Sequence, residues 1–285
     1  MGYRLTLGHI AYLLDGFYGG WSLRRTSANF RRIFGLPISP PTILRRMVGP
    51  INIVDKAVVH FLKIGKSAHT HQKKRKISFK LQLGDVWEID EIYLKLEDKK
   101  LPLIVIRDLQ TSFIIVANLA EVANYKATRQ ALSLTKTLAP EYPVEIRGDG
   151  NPAYPRTVRV VFRSKTKFTV HKRVGRMGMN QSIEGTFSTL RSRLKAMRSL
   201  HSTKLSPIIV KGLILDYNFV RTSEVLGGKT PAEMALHWQP IDYQVGGWCF
   251  LLGLAKYYKR TALRWKKQKQ GSNNVSQPTL DTFLN

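Results

Sequence analysis

The chain has 285 residues, of which 43% are hydrophobic. This is enough for one medium domain with appendages or for two small domains, and it excludes wholesale disorder. The 46 Lys and Arg residues outnumber the 19 Asp and Glu residues, and the formal net charge of +27 indicates a polyanionic partner, most commonly nucleic acid. No apolar run reaches the roughly 18 residues of a membrane span, and the single cysteine, Cys249, excludes an internal disulfide and a cysteine zinc cluster. We therefore expect a cytoplasmic protein that is associated with the nucleoid.

The N-terminal region has the pattern of short helices separated by turns. A helix predicted over residues 22–34 carries four arginines and is followed by a Gly-Leu-Pro break. The next predicted helix, residues 41–48, begins after Ser39 as its N-cap and bears Arg45 and Arg46. Two helices joined by a glycine-containing turn, the second with exposed arginines, favour a helix-turn-helix DNA reader. The alternative is an ordinary amphipathic pair with solvated arginines.

A basic linker is predicted after one more helix, which covers residues 51–64. The linker, residues 67–80, is rich in Lys and Arg and can lie on phosphates. It also holds His69 and His71, but no cysteine or acidic partner is near them. We therefore predict solvated histidines and no metal ligands in this segment.

From about residue 81 the pattern changes to strands and helices. The predicted elements are strands 86–95, 101–109 and 113–120, a helix 126–138, a strand ending at residue 149, strands 158–162 and 168–171, and helices 179–199 and 206–225. A meander followed by further strands and helices predicts an α/β fold, in which helices flank both faces of a mixed sheet. In such a sheet the first and fourth strands are expected to be neighbours.

Three acidic residues, Asp90, Asp149 and Glu184, are placed where this fold can bring them together. Asp90 interrupts an apolar strand, Asp149 ends a strand before a turn, and Glu184 lies one turn into a helix capped by Asn180. Two carboxylates from strands and one from a helix can converge on a pair of hard divalent cations, which prefer oxygen ligands. Taken singly, each acid has an ordinary alternative: for Asp90 a solvated face beside Glu88 or a bond to a neighbouring backbone amide, for Asp149 a turn, and for Glu184 a helix surface.

Basic residues accompany the acids and suit contacts with a DNA backbone. Along the predicted helix, the face that begins at Glu184 also carries Arg191, Lys195 and Arg198. A basic run upstream of that helix includes Lys172, Arg173 and Arg176. We expect these residues to line the DNA path, with a solvated basic face as the alternative.

Three segments carry a further signal when they are taken together. They are Trp87-Glu-Ile-Asp90-Glu-Ile-Tyr93-Leu-Lys95, Arg147-Gly-Asp149-Gly-Asn-Pro-Ala-Tyr154-Pro155, and Asn180-Gln-Ser-Ile-Glu184 with Arg191 seven residues on. Over residues 85–240 the chain resembles the DDE transposases of bacterial and archaeal insertion sequences, most closely the insertion sequence six family. The resemblance implies an RNase H-like fold, a metal-binding triad of Asp90, Asp149 and Glu184, and Arg191 as the basic residue after the glutamate. Related enzymes often have Asp-Glu-Thr at the first acid, where this chain has Asp90-Glu91-Ile92, so Glu91 is a neighbour to test.

The resemblance also implies a reaction and its partners. An insertion-sequence transposase binds double-stranded DNA at terminal inverted repeats and at the target, then cleaves and joins strands by phosphoryl transfer. The triad would hold two Mg²⁺ ions, for which Mn²⁺ would substitute. We expect no covalent protein intermediate, and a homodimer or a higher synaptic complex as the working form.

The C-terminal part has a basic helical stretch followed by a polar tail. The helical stretch suits core packing with DNA contact, and an interfacial membrane helix is the alternative. The tail resembles the PCNA-interacting box of archaeal and eukaryotic replication proteins through Gln277, Leu280, Phe283 and Leu284. This implies a sliding clamp as a further partner and an archaeal host, and a frayed tail with chance spacing is the alternative.

The predicted organisation has five parts. They are a helical region with the helix-turn-helix (1–66), the basic linker (67–80), the catalytic domain (81–240), the basic helical extension (241–270) and the tail (271–285). A catalytically silent, domesticated transposase that acts as a sequence-specific DNA-binding regulator is one rival, and the three intact acids argue against it. A junction-resolving nuclease of the same fold is another, and the predicted helix-turn-helix argues against that.

Overall fold

The computed structural model describes residues 5–67, 80–96, 99–170, 181–197, 202, 204–236 and 247–271. In this part of the chain the strands are β1 (Val86–Leu96), β2 (Lys99–Asp108), β3 (Ile114–Leu119), β4 (Glu145–Gly148) and β5 (Lys167–Val170). The α-helices are α1 (Leu7–Tyr18), α2 (Leu23–Phe34), α3 (Pro40–Ser67), α4 (Tyr125–Leu138), α5 (Ala153–Phe162), α6 (Gln181–Met197), α7 (Ser206–Phe219), α8 (Pro231–Ala235) and α9 (Gly247–Gly271). Short 3₁₀ helices cover Arg163–Lys165 and Glu224–Leu226.

The strands form one five-stranded mixed sheet in the order β3-β2-β1-β4-β5. β1 pairs with β2, and β2 with β3, in antiparallel directions. β4 pairs with β1 on one side and with β5 on the other, in parallel directions. β1 is therefore the central strand, where the antiparallel half meets the parallel half. The fold is the predicted α/β class, an RNase H-like mixed sheet flanked by helices.

Helices cover both faces of the sheet. The ring of Trp87 on β1 contacts Phe162 on α5, with ring centroids 6.1 Å apart. The next residue, Glu88, pairs across β1 and β2 with Arg107, which donates a hydrogen bond to Thr186 on α6 at 2.6 Å. Because successive side chains of a strand point to opposite faces, α5 and α6 lie on opposite faces of the sheet.

The N-terminal helices share the core of the sheet domain. Tyr18, at the end of α1, stacks on Trp248 of α9 with ring centroids 5.4 Å apart. Its hydroxyl donates to the carbonyl of Ile209 on α7 at 3.2 Å. Gly212 makes room for that ring, since a Cβ there would lie 1.9 Å from the Tyr18 hydroxyl oxygen. None of the helices in the described part of the chain combines the length and the apolar character that a membrane span requires.

Two helical segments differ from the prediction. The strand predicted at 158–162 is wrong, because these residues form the second half of α5. Its buried Tyr154, Val158 and Val161 recur at helical spacing, and this packing overrides the strand preference of the β-branched run. The helices predicted at 41–48 and 51–64 are one helix, α3, which continues through Pro50. The buried residues Met47, Ile51, Val54 and Val58 hold one face of α3 against the core across the proline.

Candidate active site

The register of two strands brings Asp90 and Asp149 together. β1 and β4 are parallel, and their last registered pair is Ile89 opposite Gly148. Asp90 and Asp149 each follow this pair by one residue, so they come side by side where β4 ends. Carboxylate oxygens of Asp90, Glu91 and Asp149 lie within 4.8 Å of one another. The prediction that the first and fourth strands are neighbours is confirmed.

Asp90 is half-buried, and its surroundings oppose ionisation of its carboxyl group. Burial is the largest cause that raises the pKa of Asp90, to about 7, and the charges of Asp149 and Glu91 raise it further. A hydrogen bond from the backbone N–H of Glu91 to Asp90 Oδ1, at 2.7 Å, and the charge of Arg191 act in the opposite direction. Partly buried carboxylates that lie close together repel one another, so binding of a proton or a cation stabilises them. A divalent cation would stabilise their ionised form.

Glu91 is engaged by the loop that follows β4 and by α5. The side-chain amide of Asn151 donates to Glu91 Oε1 at 2.7 Å, and the hydroxyl of Tyr154 donates to Glu91 Oε2. Burial, followed by the charge of Glu91, raises the pKa of Tyr154, so this hydroxyl stays protonated and remains a donor. The two carboxylate oxygens of Glu91 therefore tie β1 to the loop that carries Asp149.

That loop is held by nested hydrogen bonds and by a close approach of α5. Asp149 Oδ1 accepts from the backbone N–H of Asn151 at 3.0 Å, and Asn151 Oδ1 accepts from a backbone N–H at the start of α5, also at 3.0 Å. The preceding residue, Gly148, leaves no room for a side chain. A Cβ there would lie 3.0 Å from both Ile89 Cγ2 and Tyr154 Cδ2. The Gly-Asp-Gly-Asn segment therefore fixes the position of the Asp149 carboxylate by hydrogen bonds and close packing, in addition to forming a turn.

Glu184 is the fourth residue of α6, and its side chain lies outside the described part of the chain. α6 contacts β1. Arg191 is seven residues further along and therefore on the same helix face as position 184. It is exposed, its charge acts on Asp90, and its guanidinium lies 5.8 Å from the centre of the Phe187 ring. The structure thus brings Arg191 within electrostatic reach of Asp90 and packs α6, which bears Glu184, against β1.

Several other predicted site residues cannot be placed. Lys195 lies on α6, but its side chain is outside the described residues. Wholly outside them are His69, His71, Lys172, Arg173, Arg176, Arg198, Gln277, Leu280, Phe283 and Leu284. The roles predicted for these residues stay predictions.

The predicted helix, turn and helix are present as α2, a turn and α3. α2 ends at Gly35, which adopts a φ of 67°, a left-handed conformation that favours glycine. The hydroxyl of Ser39 accepts from the backbone N–H of Thr42 at 3.4 Å, as expected of the predicted N-cap of α3. Arg45 and Arg46 follow on the first turns of α3, and both are exposed. Reading of DNA by this segment stays a prediction.

Sequence reasoning missed the side chains that connect β1, β2 and α6 near the acids. The alternative of a solvated face beside Glu88 is wrong, because Glu88 is only 2% exposed. The other alternative, a bond to a neighbouring backbone amide, is present between Glu91 and Asp90. Glu88 is paired with Arg107 on β2, which contacts α6 through Thr186. A charged residue two positions before Asp90 was the signal, since residues i and i+2 of a strand share a face.

One protein-family model matches part of the chain. Residues 84–222 match the family model DDE_Tnp_IS240, described as a DDE domain. Among solved structures, the chain is similar to the HTLV-2 integrase catalytic core domain in complex with magnesium (dimeric form), with 16% identity, 56% of this chain and 100% of that chain covered, and a TM-score of 0.40. It is also similar to the BIV integrase catalytic core domain, with 16% identity, 53% of this chain and 93% of that chain covered, and a TM-score of 0.41. These likenesses are weak, and the fold class follows from the strand order and directions. No curated protein matches the chain.

Proposed function

We propose that the chain is an insertion-sequence transposase, which binds the terminal inverted repeats of its element, cleaves the DNA there and joins the freed 3′ ends to target DNA, and its match to a DDE domain supports this. Asp90, Asp149 and Glu184 would hold the divalent cations of this reaction. The observation that supports it best is the meeting of the Asp90 and Asp149 carboxylates where the parallel pairing of β1 and β4 ends. The helix that bears Glu184, α6, contacts β1.

The donor set fits hard divalent cations. The ligand atoms are carboxylate oxygens, which Mg²⁺ and Mn²⁺ prefer, and Asp90 and Asp149 already lie within reach of one ion. Burial, with the charges of Asp149 and Glu91 after it, raises the pKa of Asp90, so a negative charge at this position lacks full compensation. Two ions per site, usually Mg²⁺ with Mn²⁺ as a substitute, would activate the attacking oxygen and stabilise the leaving 3′-oxygen.

The reaction needs no protein nucleophile. In cleavage, a water oxygen forms a bond to phosphorus while the bond to the 3′-oxygen breaks, and the proton lost by the water balances the proton gained by the 3′-oxygen. In joining, the freed 3′-hydroxyl takes the place of the water and a target 3′-oxygen leaves. The three carboxylates would fix the geometry, and Arg191, whose charge acts on Asp90, would hold the phosphate backbone.

The rest of the DNA would be held by basic surfaces away from the acids. α2 and α3 are proposed as the reader of the terminal repeats, with Arg45 and Arg46 exposed on α3. Lys195 and Arg198 would extend the contact along and beyond α6. Lys172, Arg173 and Arg176 would complete the DNA path. With a net charge of +27, binding should weaken steeply as salt is raised.

The assembly and its partners are part of the same proposal. Two element ends must be held together for joining, so we expect a homodimer or a higher synaptic complex in the cytoplasm, associated with the nucleoid. The tail residues Gln277, Leu280, Phe283 and Leu284 would dock on a sliding clamp, which favours an archaeal host. A pull-down with purified archaeal clamp, wild type against Phe283→Ala, tests this part separately.

The function is tested by strand transfer with a pre-cut oligonucleotide of the terminal repeat that flanks the element. Wild type is compared with Asp149→Asn and Glu184→Gln in Mg²⁺, in Mn²⁺ and with EDTA. Asp85→Asn and Glu121→Gln are matched controls, since both are exposed acids away from the site. We expect joining by wild type and both controls, and none by the two site variants or with EDTA.

Binding to the same oligonucleotide is measured alongside joining. Binding retained by Asp149→Asn without joining supports metal catalysis. Specific binding by wild type without joining under any metal would favour the DNA-binding regulator. Unchanged joining by Asp149→Asn would overturn the site.

A further inference from the structure

A buried ion pair lies beneath the helix that bears Glu184. Glu88 and Arg107 face each other across β1 and β2, and each is 2% exposed. Arg107 Nη2 and Nε both donate to Glu88 Oε2, at 2.7 and 3.2 Å. A buried ion pair is weak as a source of stability, because desolvation of the two charges offsets their attraction. Its presence in the sheet therefore asks for another explanation.

The same guanidinium reaches from the sheet to α6. Arg107 Nη1 donates to Thr186 Oγ1 at 2.6 Å, and Thr186 is 4% exposed. The Thr186 hydroxyl also lies 3.1 Å from the hydroxyl oxygen of Tyr217 on α7. The planar guanidinium of Arg107 thus links β1, through Glu88, to α6, through Thr186.

The two anchoring points lie close in sequence to two of the three acids. Glu88 is two residues before Asp90 on the same face of β1. Thr186 is two residues after Glu184 on α6. A helix can turn about its axis or slide along a sheet without breaking its own hydrogen bonds, and each residue step changes the facing direction by about 100°. A hydrogen bond to Thr186 resists both movements at the turn that holds position 184.

We propose that Arg107, held by Glu88, is a positioning residue. Through Thr186 it sets the rotation of α6 about its axis and the position of α6 along the sheet, and so places Glu184 relative to Asp90. The inference rests on the proposed role of Glu184 in the metal site. It adds that the third ligand is correctly placed only while the link between Arg107 and Thr186 is intact.

The test uses two substitutions of Thr186 that have opposite defects. Thr186→Val keeps the shape and removes the hydroxyl, whereas Thr186→Ser keeps the hydroxyl and removes a buried methyl group. A role in packing alone would make the serine variant the more damaged of the two. A positioning role makes the valine variant the more damaged, with rescue by serine.

Two readouts are taken with the full chain. The first is the rise in unfolding temperature caused by Mn²⁺ alone, which reports metal binding without DNA. The second is strand transfer as a function of Mg²⁺ concentration. We expect Thr186→Val to weaken Mn²⁺ binding and joining by about 10-fold, the lower end of the range for groups that orient metal ligands. Thr186→Ser should stay within about 3-fold of wild type in both, well inside that effect.

A double variant, Glu88→Leu with Arg107→Leu, tests the ion pair itself without leaving one buried charge unpaired. Removing both charges together is often neutral or stabilising, so we expect a folded protein with the metal-binding defect of Thr186→Val. Wild-type joining by this double variant, or equal defects in the serine and valine variants, would overturn the inference alone. Failure of wild type to bind Mn²⁺ and to join DNA would instead overturn the proposed function, and the inference with it.

Discussion

The acids on the sheet and the acid on α6 are positioned by different physical means. Asp90 and Asp149 follow paired residues of adjacent strands, so backbone hydrogen bonds set their separation at about one strand spacing. Position 184 lies on a helix, whose orientation against the sheet depends on side-chain packing and on contacts such as that between Arg107 and Thr186. The strand half of the proposed site, Asp90 and Asp149, should therefore keep its geometry under changes that displace the helix half, position 184 on α6.

Removal of a strand acid should have the largest effect. Asp90→Asn keeps the size of the side chain and removes the charge, so we expect strand transfer to fall at least about 1,000-fold, as when one member of a catalytic unit is lost. Binding to the terminal repeat should stay within about 3-fold of wild type, because phosphate contacts by basic residues dominate affinity. Both are measured on one protein preparation, with Asp85→Asn as the exposed control. Joining by Asp90→Asn at the wild-type rate would remove Asp90 from the site.

The strand half can also be disturbed without touching an acid. Gly148→Ala places a Cβ 3.0 Å from Ile89 Cγ2 and Tyr154 Cδ2, so β1, β4 or α5 must shift. We expect a loss of about 1–3 kcal/mol in the free energy of unfolding and a fall in joining of about 100-fold, the scale of a displacement of about 1 Å in a reacting group. Gly150→Ala is the matched control, since a Cβ there meets nothing within 4 Å. Equal effects of the two changes in denaturant unfolding and joining would contradict the close approach.

A smaller change loosens the loop that carries Asp149. Tyr154→Phe removes the hydroxyl that donates to Glu91 Oε2 and leaves the ring in place. We expect a loss of about 1 kcal/mol in the free energy of unfolding and a fall in joining of about 10-fold, as for groups that orient a metal ligand. Tyr142→Phe is the control, because that ring lies away from the acids against Phe162. A fall as large as that of Asp90→Asn would mean that Tyr154 acts in the chemistry itself.

The smallest effect on activity is expected at Asp216, a buried acid of α7 that acts on stability. Burial is the main cause that raises its pKa from 3.8 to about 6, while the indole N–H of Trp248 and the charges of Arg193 and Arg221 lower it and the charge of Asp15 raises it. The native state binds the proton more tightly than the unfolded state. The stability from Asp216 is therefore full below about pH 3.8 and is lost as pH rises through about 6.

Asp216→Asn should remove that pH dependence. The difference in unfolding free energy between the variant and wild type should move in favour of the variant by on the order of 2 kcal/mol between pH 4 and pH 7. Chemical denaturation at both pH values measures it, and strand transfer at pH 7 should stay near wild type. An unchanged difference across this range would show that the carboxyl is ionised in the native state throughout. A large loss of joining would show that the far end of α6, where Arg193 acts on Asp216, also positions the site.

The part of the fold that could be predicted is the part in which the local pattern and the tertiary environment agree. The strands β1 to β3 match their predicted ranges within a few residues, because alternating and apolar β-branched runs also become buried strands. The second half of α5 was misread as a strand because Val158, Val160 and Val161 favour strands locally. Burial of Tyr154 and Phe162 against the sheet stabilises a helix there instead. The break expected before residue 51 failed for the same reason, since packing of α3 on one long apolar face outweighs Pro50.

For the candidate site, residue type and spacing within short windows were enough to propose Asp90, Asp149, Glu184 and Arg191, because the chemistry of a carboxylate or guanidinium belongs to the residue itself. Only the tertiary structure decided how they are supported. Glu91 meets Asn151 across 60 residues, and Arg107 meets Glu88 across 19 and Thr186 across 79. A hydrogen bond depends on distances of a few tenths of an ångström between side chains on separate elements, and chain folding alone sets those distances.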